Sequence, residues 1–421
     1  MSNLQRALSR RREALRGERK TKLSKGAPVA RVFTPEAKLK RSIRAHFTRL
    51  GFAKATDGTL VRPDGGKDTI RQLHRSQRQE RVNSAHALLK EFLPKALPHF
   101  ADGAEIDPSK IRLELRRVDA GTFESDLFRT ASLTWSVPVS NGYGRRLRYL
   151  VWDVGHDRLA GIFALGDPVF NLSVRDSLIG WNAQDRSSRL VNLLDAYVLG
   201  AVPPYNTLLV GKAIACLVRS RDVYDDFTRT YGNTTGIISG EEKRARLLAV
   251  TTSSSMGRSS LYNRLKLGGV EYFRDIGYTV GWGHFHITDD LFAQMRDYLR
   301  LIEHPYAAGH QFGQGPNWRL RTIRAALGEL GINEDVLRHG VQREVFLATY
   351  ATNAERILLT GKGRPDLSNL LAVSDISDLA RDRWFVPRAD RRPDFREWKR
   401  SGIEKLIRGA DAVESCRRRV G

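Results

Sequence analysis

The stretch from Leu248 to Ile287, LAVTTSSSMGRSSLYNRLKLGGVEYFRDIGYTVGWGHFHI, constrains the fold more than any other part of this chain. Leu248–Val250 is apolar and ends abruptly in hydroxyls, Gly257 and Arg258. That is the pattern of a strand leaving a core into a polar turn. A helix-like segment follows, then a glycine-punctuated segment carrying Trp282, His284 and His286. Two readings stay open. Backbone N–H groups at a helix start, with Ser255, Ser259, Ser260 and the cations Arg258 and Arg264, suit an anion such as a phosphate. Serine is equally a favoured cap of an ordinary helix.

The 421 residues suffice for two or three compact units, and a 41% hydrophobic, 28% charged composition is that of a folded protein. There is no unbroken apolar run of membrane-spanning length and no signal-peptide core. Cys216 and Cys416 are far apart in unlike surroundings, which excludes a disulfide framework or a cysteine zinc site and suits a cytoplasmic setting. Charge is the leading compositional signal. Lys and Arg total 70 against 47 acids, a net charge of +23. Such a field gathers polyanions, so the expected partner is nucleic acid, DNA first, rather than a membrane.

Along the chain, residues 1–34 form a basic, mobile-looking arm and residues 35–105 a basic helical region. Leu39, Ile43, Phe47 and Leu50 fall on one helical face. A second helix from Asp68 carries Arg71, Arg75 and Arg78 toward possible phosphate contact, and Asp57-Gly58 and Asp64-Gly65-Gly66 mark a turn or small hairpin between the two. Residues 106–290 read as a mixed α/β core, with strands expected in IRLELRRV, LFRTASLTWSVPVS, RRLRYLVWDV, LAGIFALGDPVF and Ala196–Val202. YNTLLVGKAIACLVRSRDVYDDF reads as one helix. Residues 291–360 are expected to be helical, including QREVFLATYATNAERIL, and 361–421 form a basic tail with Trp384, Phe385 and Trp398 as docking anchors. The predicted class is therefore α/β (α+β), with helical regions flanking a mixed-sheet core.

Several constellations carry possible chemistry. In a strand over Gly283–Ile287, His284 and His286 share a face and, with Asp289 or Asp290, offer part of a divalent-metal site of the kind nucleases use. Trp181 beside Asn182, Gln184 and Arg186 offers an aromatic platform with groups that read base edges. Asp153 and His156 are an acid/base candidate, with an Asx turn as the alternative. On a helix, His339 and Arg343 share a face and extend a phosphate track with Arg319, Arg321 and Arg324. There is no Walker loop, zincin motif or nucleophile elbow.

GRSSLYNRLK, DIGYTVGWGHFHI, GPNWRLRTIRAALGELGI and LRHGVQREVFLATYATNA, together with KDTIRQLHRSQRQERV and LIGWNAQDRSSRLVNLLDAYVLGAVPP, resemble the Druantia antiphage-defence DruA family. The resemblance covers most of residues 67–360 and implies a bacterial or phage-derived cytoplasmic protein of antiphage defence. It also implies other Druantia-type partners, a helicase among them, without fixing a reaction. A fold-level similarity links the core to GCN5-related acyltransferases. There a splayed strand leads into a glycine-rich loop that holds acyl-CoA, and Tyr262 stands where that family often keeps a general acid. The matching loop here, Val202–Gly211, retains only Gly211, which weighs against acyl-CoA. The expected function is nucleic-acid binding in defence. The alternatives are a nucleic-acid-processing enzyme using His284/His286 or Tyr262, and a structural adaptor.

Overall fold

The computed structural model describes residues 33–54, 56, 60–61, 66–140, 142–235, 242–307 and 318–409. The arm up to residue 32, Asp57-Gly58, Asp64-Gly65 and Cys416 lie outside them. The chain divides into two compact units, Met1–Gln77 with Trp282–Gly340, and Arg78–Gly281 with Val341–Gly421. The first boundary falls inside the helix Lys67–Ser84.

In the first unit, helix Pro35–Arg49 is capped by Thr34 and buries Leu39, Ile43, His46 and Phe47, as the apolar spacing predicts. It packs against helix Asp289–Leu301, which in turn packs on helix Trp318–Glu329. A small hairpin joins β1 (Ala53–Lys54) to β2 (Leu60–Val61). Imidazoles and phenyl rings fill much of the interior. His286 lies 5.5 Å from Phe47, 6.0 Å from Phe52 and 5.9 Å from His339, centroid to centroid.

The second unit is built on one eight-stranded sheet. Its strands are β3 (Leu113–Arg117), β4 (Arg146–Asp153), β5 (Arg158–Gly166), β6 (Leu193–Ala201), β9 (Ala249–Ser253), β10 (Leu265–Leu267), β11 (Val270–Tyr278) and β12 (Glu344–Thr349). A separate two-stranded ribbon holds β7 (Asn233–Thr235) and β8 (Glu242–Arg244). The sheet order is β10-β11-β12-β9-β6-β5-β4-β3. All neighbours are antiparallel except β6 and β9, which run parallel through only Leu193–Asp195 against Ala249–Thr251. Beyond that point β6 pairs only with β5, and β9 only with β12. Near-continuous apolar strands such as LAGIFAL suit a sheet buried on both faces. Leu194, Val250 and Phe346 pack into one core, while Leu193, Ala249 and Leu347 pack into a second with Trp181 and Ile357.

The class is the expected one, α/β with a mixed sheet, but several local expectations fail. LFRTASLTWSVPVS contains no strand: Phe123–Ser132 is a helix, with Thr122 Oγ1 accepting from Ser125 N at 3.2 Å. Leu127, Phe128 and Ala131 give that helix its buried side, so i, i+4 packing overrides the later alternation. YNTLLVGKAIACLVRSRDVYDDF is two helices, Val210–Leu217 and Arg221–Tyr231, because Ser220 caps a new start. QREVFLATYATNAERIL supplies β12 and only a short helix, Ala354–Thr360; an unbroken apolar run of this length reads equally as a buried strand. The segment after Arg258, expected to be helix-like, is turns that lead into the β10–β11 hairpin. Trp384 and Phe385 are core residues rather than docking anchors. No described helix is long and apolar enough to cross a membrane.

The first unit's histidines make it acid-sensitive. Burial, with Arg319 nearby, pushes His284 down to about 4. Burial also pushes His286 to about 4, against the opposing hydrogen bond to Val336 O. An unfolded chain binds these protons near pH 6.5, so stability is complete above that value and declines as pH falls toward about 4. The loss approaches roughly 3 kcal/mol for a fully buried imidazole. Unfolding followed by hydrogen exchange between pH 7.5 and 5 is expected to open residues 282–307 first. His286→Gln should flatten that dependence, and an unchanged acid profile in the variant would refute the assignment.

Candidate functional site

β6 and β9 are the one parallel pair of the sheet among the described residues, and past Asp195 and Thr251 each pairs with a different strand, so their carboxyl ends diverge and leave room for loops between them. Thr251 Oγ1 donates to Asp195 Oδ1, and Thr252 Oγ1 donates to Ala196 O at 2.9 Å. Burial pushes the Asp195 carboxyl up to about 7, against the opposing charge of Arg175.

The polar loop after β9 is organised by one buried carboxylate. Ser259 N donates to Glu344 Oε2 at 2.7 Å, Ser254 N to Glu344 O at 2.8 Å, and Glu344 N to Gly257 O at 3.2 Å. Gly257 makes the bend at φ +79°. Ser259 Oγ then accepts from Leu261 N at 3.1 Å and Tyr262 N at 3.3 Å, capping a turn although no helix follows. Ser255, Arg258, Ser260 and Arg264 are left exposed, and Ser259 is buried. Neither Arg258 nor Arg264 is in an ion pair among the described residues, so both are available to an anion.

Tyr262 is buried beside Phe273 and Phe346, with ring centroids 5.4 and 5.3 Å away. Burial raises it to about 12, so it stays protonated at neutral pH. A Cβ on Gly211 would touch Leu261 Cδ1 at 3.5 Å, so the loop after β9 covers the start of helix Val210–Leu217.

The other sequence-predicted residues are dispersed. The unit boundary after Gly281 places Trp282, His284 and His286 in the first unit and the Ser-rich loop in the second. Gly283–Ile287 is turn, not strand, which removes the shared face of the two histidines. His286 Nε2 donates to Val336 O at 2.8 Å. Among the described residues no group of three or more His, Cys, Asp or Glu is placed to hold a metal. Trp282 is 38% exposed, with the Arg324 guanidinium 5.9 Å from its ring. Arg71 is exposed and paired with Asp68, and Arg75 is exposed. Arg78 is largely spent on structure, donating to Trp135 O at 3.1 Å and to Leu406 O and Ile407 O. His339 and Arg343 share no helix; Arg343 is largely buried, its N donating to Thr279 Oγ1 at 3.1 Å.

Trp181 is not an open platform. Its Nε1 donates to Leu358 O at 2.7 Å and its ring is packed. Asn182 and Asp185 form a capping box for helix Ala183–Arg189. Asp153 and His156 do meet, Nδ1 donating to Oδ2 at 2.6 Å. Yet His156 Nε2 already accepts from Asp107 N, and Asp153 also accepts from Tyr205 Oη, Arg112 N and Gly155 N. These bonds make the pair a structural hub of the β4–β5 turn.

Sequence reading missed the cationic face of helix Pro35–Arg49, although its apolar spacing implies one: Lys38, Arg41, Arg44 and Arg49 are exposed opposite the buried stripe. It also missed Glu344 as the loop's organiser, a long-range contact with no local signal.

These features define an α/β protein with an eight-stranded mixed sheet and exposed cations around its strand ends and N-terminal helix. A family model described as Druantia protein DruA matches residues 64–360. A protein of that description from Escherichia coli (strain UMEA 4076-1) is 58% identical over 372 residues, covering 88% of this chain and 92% of its own. The chain belongs to the Druantia protein DruA family. No solved structure matches it.

Glu344→Ala is expected to leave Ser259 N unpaired and destabilise the loop by about 1–3 kcal/mol. Tryptic cleavage at Arg258 should accelerate in this variant and much less in Glu344→Gln. Equal cleavage rates in all three proteins would show that Glu344 does not hold the loop.

Proposed function

We propose that this protein is a nucleic-acid-binding component of a bacterial antiphage defence system. Its ligand is DNA, and it acts beside other Druantia-type proteins, a helicase among them. Family membership supports the defence role. One observation carries the binding role: Lys38, Arg41, Arg44 and Arg49 project from a single helix, and none is in an ion pair among the described residues. Unpaired cations on one face fit the regular charge of a sugar–phosphate backbone. The sequence reinforces this, since residues 1–77 contain 20 Lys and Arg against six Asp and Glu. In the second unit Arg258 and Arg264 offer a further phosphate contact. In this reading the mixed-sheet core serves as scaffold.

The test is binding of the full chain to fluorescent DNA across a salt series. Affinity is expected to fall steeply, and joint replacement of Lys38, Arg41, Arg44 and Arg49 by Ala should lower the log–log slope by about 3. A slope near zero in the parent protein, or one unchanged in the variant, would rule out this face as the phosphate grip.

A further inference from the structure

The loop between β5 and helix Ser173–Ile179 holds two neighbouring apolar side chains in solvent. Val169 is 43% exposed and Phe170 48%. Exposed hydrophobic residues are common singly, but the anchoring of this pair is not. Arg175 is fully buried, and its guanidinium is committed to their backbone: Nη1 donates to Val169 O and Nη2 to Phe170 O, both at 2.9 Å. Nε and Nη2 also donate to Asp176 Oδ1 at 2.8 and 2.6 Å. The second oxygen of Asp176 accepts from Leu172 N at 3.3 Å and from Arg186 Nη1 at 3.3 Å. Arg186 is thereby held with its guanidinium carbon 5.4 Å from the Phe170 ring centroid. On the inner side Arg175 lies 5.8 Å from the Trp181 ring, closing the network against the core.

Burying a charge pair is costly, so a buried ion pair whose remaining hydrogen bonds fix an exposed tip is a device for presenting that tip rigidly. A flat, exposed ring matches an unpaired nucleobase, which can stack on it, while Arg186, itself paired with Asp176, braces the ring from the side. A pre-ordered aromatic avoids the entropy cost of immobilising a side chain on binding.

We propose that Phe170, positioned by Arg175 and Asp176 and flanked by Val169 and Arg186, is a stacking site for unpaired bases. The nucleic acid recognised is then single-stranded or locally opened. This rests on the nucleic-acid reading above and adds the structural form of the ligand. In this proposal Phe170 takes the place expected for Trp181, whose ring is packed in the core.

The full chain is titrated with a fluorescent oligothymidylate and with an abasic sugar–phosphate oligomer of equal length. Phe170→Ala should weaken oligothymidylate binding about tenfold, within the range for one lost base stack. It should leave the abasic oligomer and the salt slope unchanged, and Phe170→Trp should restore affinity. Parent-like oligothymidylate binding by Phe170→Ala overturns the stacking site while the phosphate reading stands. The same holds if that variant loses only its assembly with defence partner proteins, which would assign the tip to protein docking. Absence of nucleic-acid binding by the parent chain overturns both readings.

Discussion

The second unit depends on three residues of parallel pairing. Among the described residues, Leu193–Asp195 against Ala249–Thr251 is the only backbone ladder between an antiparallel meander, β3 to β6, and the group β9-β12-β11-β10, and helix Val210–Leu217 also packs on both groups. Parallel ladders bind slightly less strongly per residue than antiparallel ones, and so short a run is weak alone. Side chains reinforce it, with Thr251 Oγ1 on Asp195 and Thr252 Oγ1 on Ala196 O. Just past the join the strands take other partners, and the chain leaves the sheet on both sides to form the loops around the candidate site.

Those loops are shaped by buried carboxylates more than by local propensity. Glu344 gathers the loop after β9, Asp176 the exposed tip at Val169-Phe170, and Asp153 the β4–β5 turn with Tyr205. Each accepts several donors, which offsets the cost of removing it from water. The chain's large excess of cations thus divides into two populations. Arg78, Arg175 and Arg343 are turned inward, whereas Lys38, Arg41, Arg44, Arg49, Arg258 and Arg264 face outward. Net charge alone does not separate the two, and only the outward group bears on a polyanion.

Legibility in the sequence followed the range of the interactions concerned. Helix Pro35–Arg49 and strands such as RLAGIFALG were readable because their burial pattern lies within one element. EVFLAT was misread because a short apolar run suits a helix or a strand until its neighbours β9 and β11 are known. LYNR became turn because Ser259 and Glu344, 85 residues apart, fix the backbone entering it. The histidines looked like paired ligands in a strand, whereas the backbone over Gly283–Ile287 is turn and burial lowers both imidazoles.

Composition and local motif were enough to establish the polyanion-attracting charge, the mixed α/β class and the family, since each is carried by residue type and short-range order. Tertiary structure alone divided the Leu248–Ile287 stretch, assigning Leu248–Gly281 to the second unit and Trp282–Ile287 to the first. It also decided that Trp181 is support and Phe170 is surface. Burial depends on contacts far apart in the chain, such as Trp181 Nε1 with Leu358 O, and no local pattern encodes them.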